Sequence, residues 1–573
     1  MGSTARFAAA ALLVFIGLAA ASAARKSATV DEFAHLAAGL YAWKTFDFSL
    51  YAKTPPTARM LATAPALLFR PAVPTDLTRF RSLSWLPWTY ATYFQLQNIA
   101  AYGRILLAAR LTVIFMGAVL CLLIFLGSRA RYGDLGGLVS LAACALSPTI
   151  LAHARLVTTD LPAALFSFVF LLLLLQYRRR PSAPRALALA AAAAMAVLTK
   201  FSLLFFAPLL FLAPPLALAR VRAERARPGP RAGRGPVLGP GRAGAHLLIA
   251  AVALWVFILA GYGGQGVGFQ TAASQSRSLG RVAPALALLP LPRDFVHGLD
   301  LQLADAERGE WRQGNYLLGH WYGGGHWYYY PLALAAKEPV PYLALFAVAL
   351  GLILKGPRRF DEVFLLAVIA AYFAVASLFG SLQIGLRYLL PLYPPAFMLL
   401  GRLGEYIQGA EPAGARRRLA PRAALAAACI WAAAANLCIW PDYLAYFSPL
   451  AGGPDRGRFI LLDSNLDWGQ DLPGLARWMR DHKIESLDLA YFGHDNPARF
   501  GIRFTLPGRG SGARYLAVSA NLLMGRDYPM TFLPRGVTKS DPLFFEVARF
   551  RDKKSVAVIG HTIYVFDRRG AGP

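Results

Sequence analysis

Two adjacent carboxylates, Asp31 and Glu32, follow directly after the first apolar stretch of the chain. Carboxylates at the edge of a membrane are costly against lipid, but they are useful where they line a polar cavity and one of them can accept a proton. A structural interpretation stays open beside this one. Asp31 would then cap a helix that starts at Glu32, with His35 on the surface of that helix. The pair therefore predicts either a general base or a helix cap.

Three further places carry isolated polar groups among apolar residues. The stretch from His153 to Asp160 is a polar island, and Pro162 after it also suits a simple helix start. Lys53 precedes two prolines, and Arg387 precedes Tyr388 in an otherwise apolar stretch. Either cation alone is explained equally well by snorkelling of its side chain to lipid headgroups.

An aromatic segment runs from His320 to Tyr330 and includes His326 and Trp327. Tryptophan and tyrosine collect at membrane interfaces, so an interfacial belt explains much of this composition. Aromatic faces also suit sugar rings, and the segment could serve both purposes.

The composition indicates the class of structure that holds these residues. The chain has 573 residues, of which 56% are hydrophobic and 16% charged, with a formal net charge of +28. This balance excludes a disordered chain and argues against a purely soluble one. Because the arginines form short clusters between apolar stretches, the charge indicates membrane topology rather than nucleic-acid binding.

About eleven apolar segments are long enough to cross a bilayer as helices. They lie near residues 6–24, 105–127, 135–152, 161–176, 186–199, 201–219, 244–262, 338–354, 362–379, 387–403 and 422–440. With the N-terminus in the cytoplasm, the five inner connections carry 21 Lys and Arg against four acids, as the positive-inside rule requires. The first segment also resembles a secretory signal, and the pair at 186–219 could be one re-entrant hairpin.

The same threading predicts two domains. Residues 1–440 form a transmembrane domain with external loops at 26–104 and 263–337, and residues 441–573 form a small soluble α/β domain on the external face. The four cysteines fall in apolar segments without the spacing of a zinc site, which favours a packing role. An external domain without cysteine is consistent with a bacterial periplasm.

Several of these motifs, in this order, resemble the protein O-mannosyltransferase and aminoarabinose transferase superfamily, which is similar to glycosyltransferase family 39. The resemblance extends over about residues 28–400. It is carried by the acidic pair at 31–32, Lys53 with Pro55 and Pro56, Thr158 to Asp160, Leu198 to Ser202, Trp327 to Pro331, and Arg387 with Tyr388 and Pro391. The tail motif from Asp463 to Asp471 resembles the extension of bacterial members.

The resemblance implies a GT-C fold and a glycosyltransferase in the bacterial inner membrane. Its donor would be a polyprenyl-phosphate sugar on the non-cytoplasmic face, transferred to a hydroxyl of a glycan, lipid or protein, with inversion. Asp31 would be the catalytic base, with Glu32 orienting the acceptor. The implied substrate-binding residues are Lys53, Asp160, Arg387, Tyr388, His326 and Trp327.

The resemblance points to no certain cofactor. A divalent metal is possible beside several carboxylates, although no ligand spacing demands one. The loop at 263–337 is too short to hold the β-trefoil insertion of eukaryotic relatives. This difference argues against a protein acceptor.

Two other function classes stay open. A transporter or flippase of lipid-linked saccharide would also have many helices and buried charges, although transport sites lie near the bilayer midplane and these polar residues gather at one face. A non-catalytic scaffold that binds cell-envelope partners through its tail would leave Asp31 dispensable.

Overall fold

The computed structural model describes residues 2–80, 86–225, 238–269, 274–286, 288–308, 314–357, 359–409, 415–508, 512–526 and 547–570. Most of them are helical. The α-helices are Ser3–Ala23, Val30–Thr45, Thr57–Thr63, Leu86–Gln97, Tyr102–Ala145, Pro148–Ala154, Asp160–Arg179, Ala183–Val197, Ala207–Arg225, Pro240–Gly261, Arg277–Leu286, Arg293–Arg308, Tyr329–Lys337, Val340–Lys355, Phe360–Phe379, Tyr393–Leu399, Gly401–Gly409, Ala415–Ile439, Pro454–Gly457, Leu472–Asp481 and Ala520–Leu523. The strands are Val267–Gly268, Leu291–Pro292, Asn315–Leu317, His320–Tyr322, Leu487–Ala490, Phe504–Thr505, Tyr515–Ser519, Ala557–Ile559 and Ile563–Asp567.

Within the described residues, seven helices are long and apolar enough to span a membrane, or eight if a bent pair counts as one span. They are Ser3–Ala23, Tyr102–Ala145, Asp160–Arg179, Phe201–Arg222, Pro240–Gly261, Phe360–Phe379 and Ala420–Ile439, and the bent pair is Tyr329–Lys337 with Val340–Lys355. The polytopic helical class is therefore confirmed. This count is lower than the eleven spans expected, because Tyr102–Ala145 enters it as a single helix and shorter apolar helices such as Ala183–Val197 are left out.

The longest helix, Tyr102–Ala145, contains a reversal of the chain. Gly133 in its middle has φ 77° and ψ −176°, a conformation that ends one helix and that glycine adopts at low cost. The Oγ atoms of Ser128 and Ser140 lie 2.8 Å apart, and the Sγ atoms of Cys121 and Cys144 lie 3.4 Å apart. In a straight helix, 23 residues would separate that cysteine pair by roughly 34 Å. The two predicted segments at 105–127 and 135–152 are therefore antiparallel arms.

One expected span, at 338–354, follows a sharp bend, and another, at 387–403, is broken. Tyr329–Lys337 meets Val340–Lys355 at 116°, with Pro339 at the junction. The segment expected at 387–403 begins as a 3₁₀ turn, Leu386–Leu392, and continues as two short helices. Prolines disfavour a continuous helix because they lack an N–H donor. The break at 386–392 leaves Arg387 on irregular backbone.

The two apolar stretches at 186–219 form separate helices, Ala183–Val197 and Phe201–Arg222, with Thr199 and Lys200 between them. The Arg-rich connection expected at 220–242 lies largely outside the described residues, as does part of the connection at 402–422. The orientation of the chain across the membrane stays a prediction.

The C-terminal region contains a five-stranded mixed sheet. Its order is Phe504–Thr505, Leu487–Ala490, Tyr515–Ser519, Ile563–Asp567 and Ala557–Ile559. The first three strands are parallel, and the last two pair antiparallel. Helix Leu472–Asp481 packs on the sheet through Leu472, Leu475 and Met479. The α/β character predicted for the tail is confirmed.

The expected boundary at residue 441 does not divide the packing. Tyr443, Leu461, Leu466 and Trp468 are buried in the same apolar core as the membrane helices. The segment that follows the last apolar helix therefore joins the helical body before the chain enters the sheet.

Candidate active site

The acidic pair is placed by the start of helix Val30–Thr45. Thr29 is the N-cap residue, and its side chain and that of Glu32 form a reciprocal capping box. The helix thus begins two residues earlier than a cap at Asp31 would require. Glu32 closes the capping box, and Asp31 is free to point elsewhere.

Glu32 lies away from the cavity that holds Asp31, contrary to the expectation that it orients an acceptor. It is fully buried, and Arg110 donates to both of its oxygens at 2.8 and 2.7 Å. The backbone N–H of Val157 donates to it at 3.0 Å. A buried carboxylate held by a two-pronged guanidinium fixes the start of this helix against two neighbouring elements. Glu32 therefore positions Asp31 through the backbone.

Asp31, Arg387, Asp160 and Lys200 form a row of alternating charges. The Nη1 atom of Arg387 lies 2.6 Å from Oδ2 of Asp31 and 3.6 Å from Oδ2 of Asp160. The Nζ atom of Lys200 lies 2.6 Å from Oδ1 of Asp160. We call these four residues the charge row. They come from four separate parts of the chain, and two cations meet two carboxylates within one site.

Aromatic rings flank the cations of the charge row. The guanidinium carbon of Arg387 lies 4.4 Å from the centre of the Trp468 ring. The Nζ atom of Lys200 lies 4.6 Å from the centre of the Tyr388 ring. Such rings attract a cation through their negative faces and hold its orientation.

The charge row lies in the wall of a cavity of about 1450 Å³. The remaining wall is mostly apolar and comes in part from the apolar helices 201–222, 240–261 and 360–379, and in part from residues between 279 and 306. Phe205, Trp255 and Phe379 are examples. The cavity therefore combines a charged end with an apolar groove, as a phosphate on a long hydrocarbon chain would need.

Two residues that line the cavity, His35 and Lys200, were not predicted as site residues. His35 lines the cavity one helical turn after Asp31, and its ring stacks on Tyr51 at 4.9 Å. Burial lowers the pKa of His35 to about 3, so its ring is neutral near pH 7. Lys200 lies in the motif from Leu198 to Ser202 but was given no role. The spacing of four residues from Asp31 would have indicated His35, because residues i and i+4 share a helix face.

Lys53 lines the cavity but is not part of the charge row. Its Nζ atom lies 2.6 Å from Oδ2 of Asp305, and its side chain is 44% exposed. The partner comes from helix Arg293–Arg308 in the connection at 263–337, which packs closely on residue 52 at Gly298. Lys53 thus links the connections at 26–104 and 263–337 at the cavity.

His326 and Trp327 do not reach the cavity. The ring of His326 lies between those of Tyr322 and Tyr328, at 4.2 and 5.1 Å. Gln383 contacts the backbone N–H and C=O of His326 at 2.8 and 2.9 Å. Trp327 is 65% exposed. This arrangement suits an aromatic belt, one of the two interpretations of the segment, better than contact with a substrate in the cavity.

Among the residues that the structure describes, no three His, Cys, Asp or Glu side chains group as metal ligands would. The carboxylates of the charge row face cations instead.

Comparison with known proteins agrees with the resemblance seen in the sequence. Residues 85–226 match the model of the family described as dolichyl-phosphate-mannose-protein mannosyltransferase. A search of curated proteins gives no match. The match to the family model confirms the resemblance to GT-C glycosyltransferases. Together with the apolar helices, it makes the protein a multi-pass membrane glycosyltransferase.

Solved structures are similar to the chain at low sequence identity. The chain is similar to ArnT from Cupriavidus metallidurans bound to undecaprenyl phosphate, at 14% identity over 100% of both chains, with a TM-score of 0.46. It is also similar to the oligosaccharyltransferase of Archaeoglobus fulgidus in complex with Zn and sulfate. That similarity has 11% identity over 89% of this chain and 68% of the other, with a TM-score of 0.37.

Proposed function

We propose that the protein transfers a sugar from a polyprenyl-phosphate carrier to an acceptor hydroxyl on the non-cytoplasmic face of a bacterial inner membrane. The observation that carries this proposal is the charge row in the wall of a cavity whose other lining residues are mostly apolar. A phosphate needs fixed cations, and a polyprenyl chain needs an apolar groove. Few ligands other than a lipid phosphate need both at once.

In this proposal Arg387 and Lys200 receive the donor phosphate. Arg387 offers a planar fork of N–H donors, and Lys200 offers a point charge. The polyprenyl chain extends along the groove that includes Phe205, Trp255 and Phe379. Both cations already face carboxylates, so an incoming phosphate competes with Asp31 for Arg387 and meets Lys200 beside Asp160.

Asp31 acts as the base. The acceptor oxygen attacks the anomeric carbon, the bond from that carbon to the phosphate oxygen breaks, and the hydroxyl proton passes to the Asp31 carboxylate. The products are the glycosylated acceptor and polyprenyl phosphate, with inversion at the anomeric carbon. Because the leaving phosphate is a weak base, the cations of the charge row stabilise it without a general acid.

Competition for Arg387 links binding to chemistry. With the cavity free of donor, the charge of Asp31 is shared with the guanidinium at 2.6 Å. A phosphate that takes part of the fork weakens this pairing, and Asp31 then becomes a better proton acceptor. Asp160 stays paired with Lys200 and keeps that cation in place.

Three further cavity residues take supporting roles. Tyr388 flanks Lys200, and His35 presents a neutral ring to the sugar. Lys53 is held by Asp305 and contributes a third cation for the phosphate when that pairing opens. His326 and Trp327 are omitted from the proposed site.

The proposed topology follows from the charge of the connections. The N-terminus lies in the cytoplasm, the loops at 26–104 and 263–337 lie outside, and so does the region after residue 441. This places the charge row on the side where lipid-linked sugars are displayed after they have been flipped across the membrane.

The function is tested by comparing a deletion strain with its parent. Mass spectrometry of envelope glycans, lipids and periplasmic proteins should show one class of molecule that lacks a sugar residue in the deletion strain. Wild-type protein should restore that residue, and the Asp31→Asn variant should not. If the sugar-linked lipid instead accumulated on the cytoplasmic face and Asp31→Asn restored export, the protein would be a flippase.

A further inference from the structure

Residues 463–471, which we call the Trp468 loop, lie between two segments of the proposed site. One segment precedes Asp31, and the other contains Arg387. The sequence places these three segments far apart, near residues 30, 387 and 468. Their convergence gives the C-terminal region a direct connection with the charge row.

On one side, the loop holds the backbone that leads into Asp31. The carbonyl of Trp468 accepts the N–H of Val30 at 3.0 Å. The carbonyl of Gln470 accepts the N–H of Ser27 at 3.0 Å, and that of Gly469 accepts the hydroxyl of Ser27 at 2.9 Å. The start of the helix that carries Asp31 is thus fixed to the Trp468 loop.

On the other side, the loop holds the backbone that leads into Arg387. Oδ1 of Asn465 accepts the N–H of Leu386 at 3.0 Å. Oγ of Ser464 donates to the carbonyl of Ile384 at 2.7 Å. These contacts fix the irregular turn from which the Arg387 side chain extends.

The Trp468 ring also contacts the Arg387 side chain. The guanidinium carbon lies 4.4 Å from the ring centre, and Trp468 is only 1% exposed. Such a stack leaves the edges of the guanidinium plane, which carry its N–H donors, available to oxyanions. One edge already meets Asp31.

We propose that Trp468 and Asn465 are positioning residues of the transferase, which set the distance and orientation between Asp31 and Arg387. This inference rests on the proposed function. The Trp468 loop contacts both segments at once, so the geometry of base and phosphate-binding cation depends on a part of the chain that follows the last apolar helix. The C-terminal region is therefore part of the site.

The test measures binding of a polyprenyl monophosphate without sugar to the full-length protein in nanodiscs. Trp468→Leu removes the aromatic face and should weaken binding about tenfold, within the range of a partly desolvated cation–π contact. Trp478→Leu is the matched control. Trp478 packs in the C-terminal region against His482 and Tyr515, and its loss should leave binding unchanged.

A double-mutant cycle separates positioning from a general structural role. If Trp468 acts through Arg387, Trp468→Leu should weaken binding in the wild-type background and add little in an Arg387→Ala background. A structural defect would weaken binding by the same factor in both backgrounds.

Asn465→Ala supplies a second variant if Trp468→Leu does not fold. It should weaken binding severalfold through the turn at Leu386, whose N–H then lacks its acceptor. Asn496→Ala is its control, because that side chain accepts only from the nearby N–H of Ala498 among the contacts that the structure describes.

The outcomes distinguish the two proposals. If the wild-type protein does not bind the polyprenyl phosphate, the proposed function fails. If wild type binds and Arg387→Ala binds weakly, but Trp468→Leu and Asn465→Ala bind like wild type, the positioning role is overturned and the proposed function stands. Equal effects of Trp468→Leu in both backgrounds would overturn it as well.

Discussion

Arg387 is the residue on which the site depends most, because it contacts two carboxylates and two aromatic rings. Arg387 could be predicted as a site residue only through the family resemblance, because a lone arginine near a membrane boundary is explained equally well by snorkelling to lipid headgroups. Its low exposure and its pairing with Asp31 at 2.6 Å show that it points into the protein instead. A bound phosphate would therefore meet a guanidinium whose orientation is already fixed.

Arg387→Lys tests whether the fork matters beyond the charge. A lysine keeps the positive charge but cannot offer two parallel N–H donors, so we expect turnover to fall by roughly tenfold or more. Initial rates at several donor concentrations provide the measurement. Arg359→Lys is the control, since Arg359 pairs with Glu405 away from the cavity. Equal rates for wild type and Arg387→Lys would mean that any cation suffices there.

Asp467 is a buried carboxyl in the Trp468 loop whose protonation links stability to pH. Burial raises the pKa of Asp467 from its ordinary 3.8 to about 7. The folded chain therefore keeps a proton that the unfolded chain releases above pH 4. The stability contributed by this group is complete below that pH and is lost as the pH rises through 7.

Asp467→Asn should remove this dependence. The amide stays neutral at every pH and can still accept the N–H of Gly469, which lies 3.2 Å from Oδ1 of the aspartate. We expect the melting temperature of wild type relative to Asp467→Asn to fall between pH 4 and pH 8. Thermal unfolding of both proteins in the same detergent, at each pH, is the measurement. A difference that stayed constant with pH would show that Asp467 is ionised throughout.

At the scale of elements, the site forms where regular structure stops. The helix that carries Asp31 begins there, the segment that carries Arg387 is a 3₁₀ turn, and Lys200 lies between two helices. Apolar periodicity identified the neighbouring helices. The breaks were less predictable, because they depend on which prolines and glycines the packing tolerates.

The contact between two such breaks can be tested at Gly385. A Cβ atom at this position would lie 2.1 Å from Oγ of Ser464, far inside van der Waals contact. We expect Gly385→Ala to lower the free energy of unfolding by about 1–3 kcal/mol, as overpacking does. Thermal or denaturant unfolding of the purified protein would show this.

Ser464→Ala in the same chain supplies the control. Removing Oγ relieves the clash, so the double variant should be more stable than Gly385→Ala alone, although the hydrogen bond to Ile384 is lost. A double variant less stable than both single variants would show that the two segments do not meet as described.

Across the whole molecule, the polytopic helical class and the α/β tail were predictable from the sequence because they follow from hydropathy and residue pattern. The joining of the tail to the membrane core was not predictable. It rests on contacts such as that of Lys26 with Asp442 and Asp471, which have no local sequence signal.

The orientation of the molecule is tested by reporter fusions. A fusion at residue 230 should report cytoplasm, and fusions at 300 and 500 should report the outside, because the inner connections carry 21 bases against four acids. An external signal at 230 would reverse the topology and remove the reason for a lipid-linked donor.

We propose that Asp31 is the base of a transfer from polyprenyl phosphate. The most direct measurement is sugar transfer by the purified protein in nanodiscs, with a panel of polyprenyl-phosphate sugars and the acceptor identified from the deletion strain. Asp31→Asn should fold and still bind polyprenyl phosphate, but it should transfer at least ~100-fold more slowly, the typical scale of general base catalysis. Transfer by Asp31→Asn at the wild-type rate would show that Asp31 is not the base.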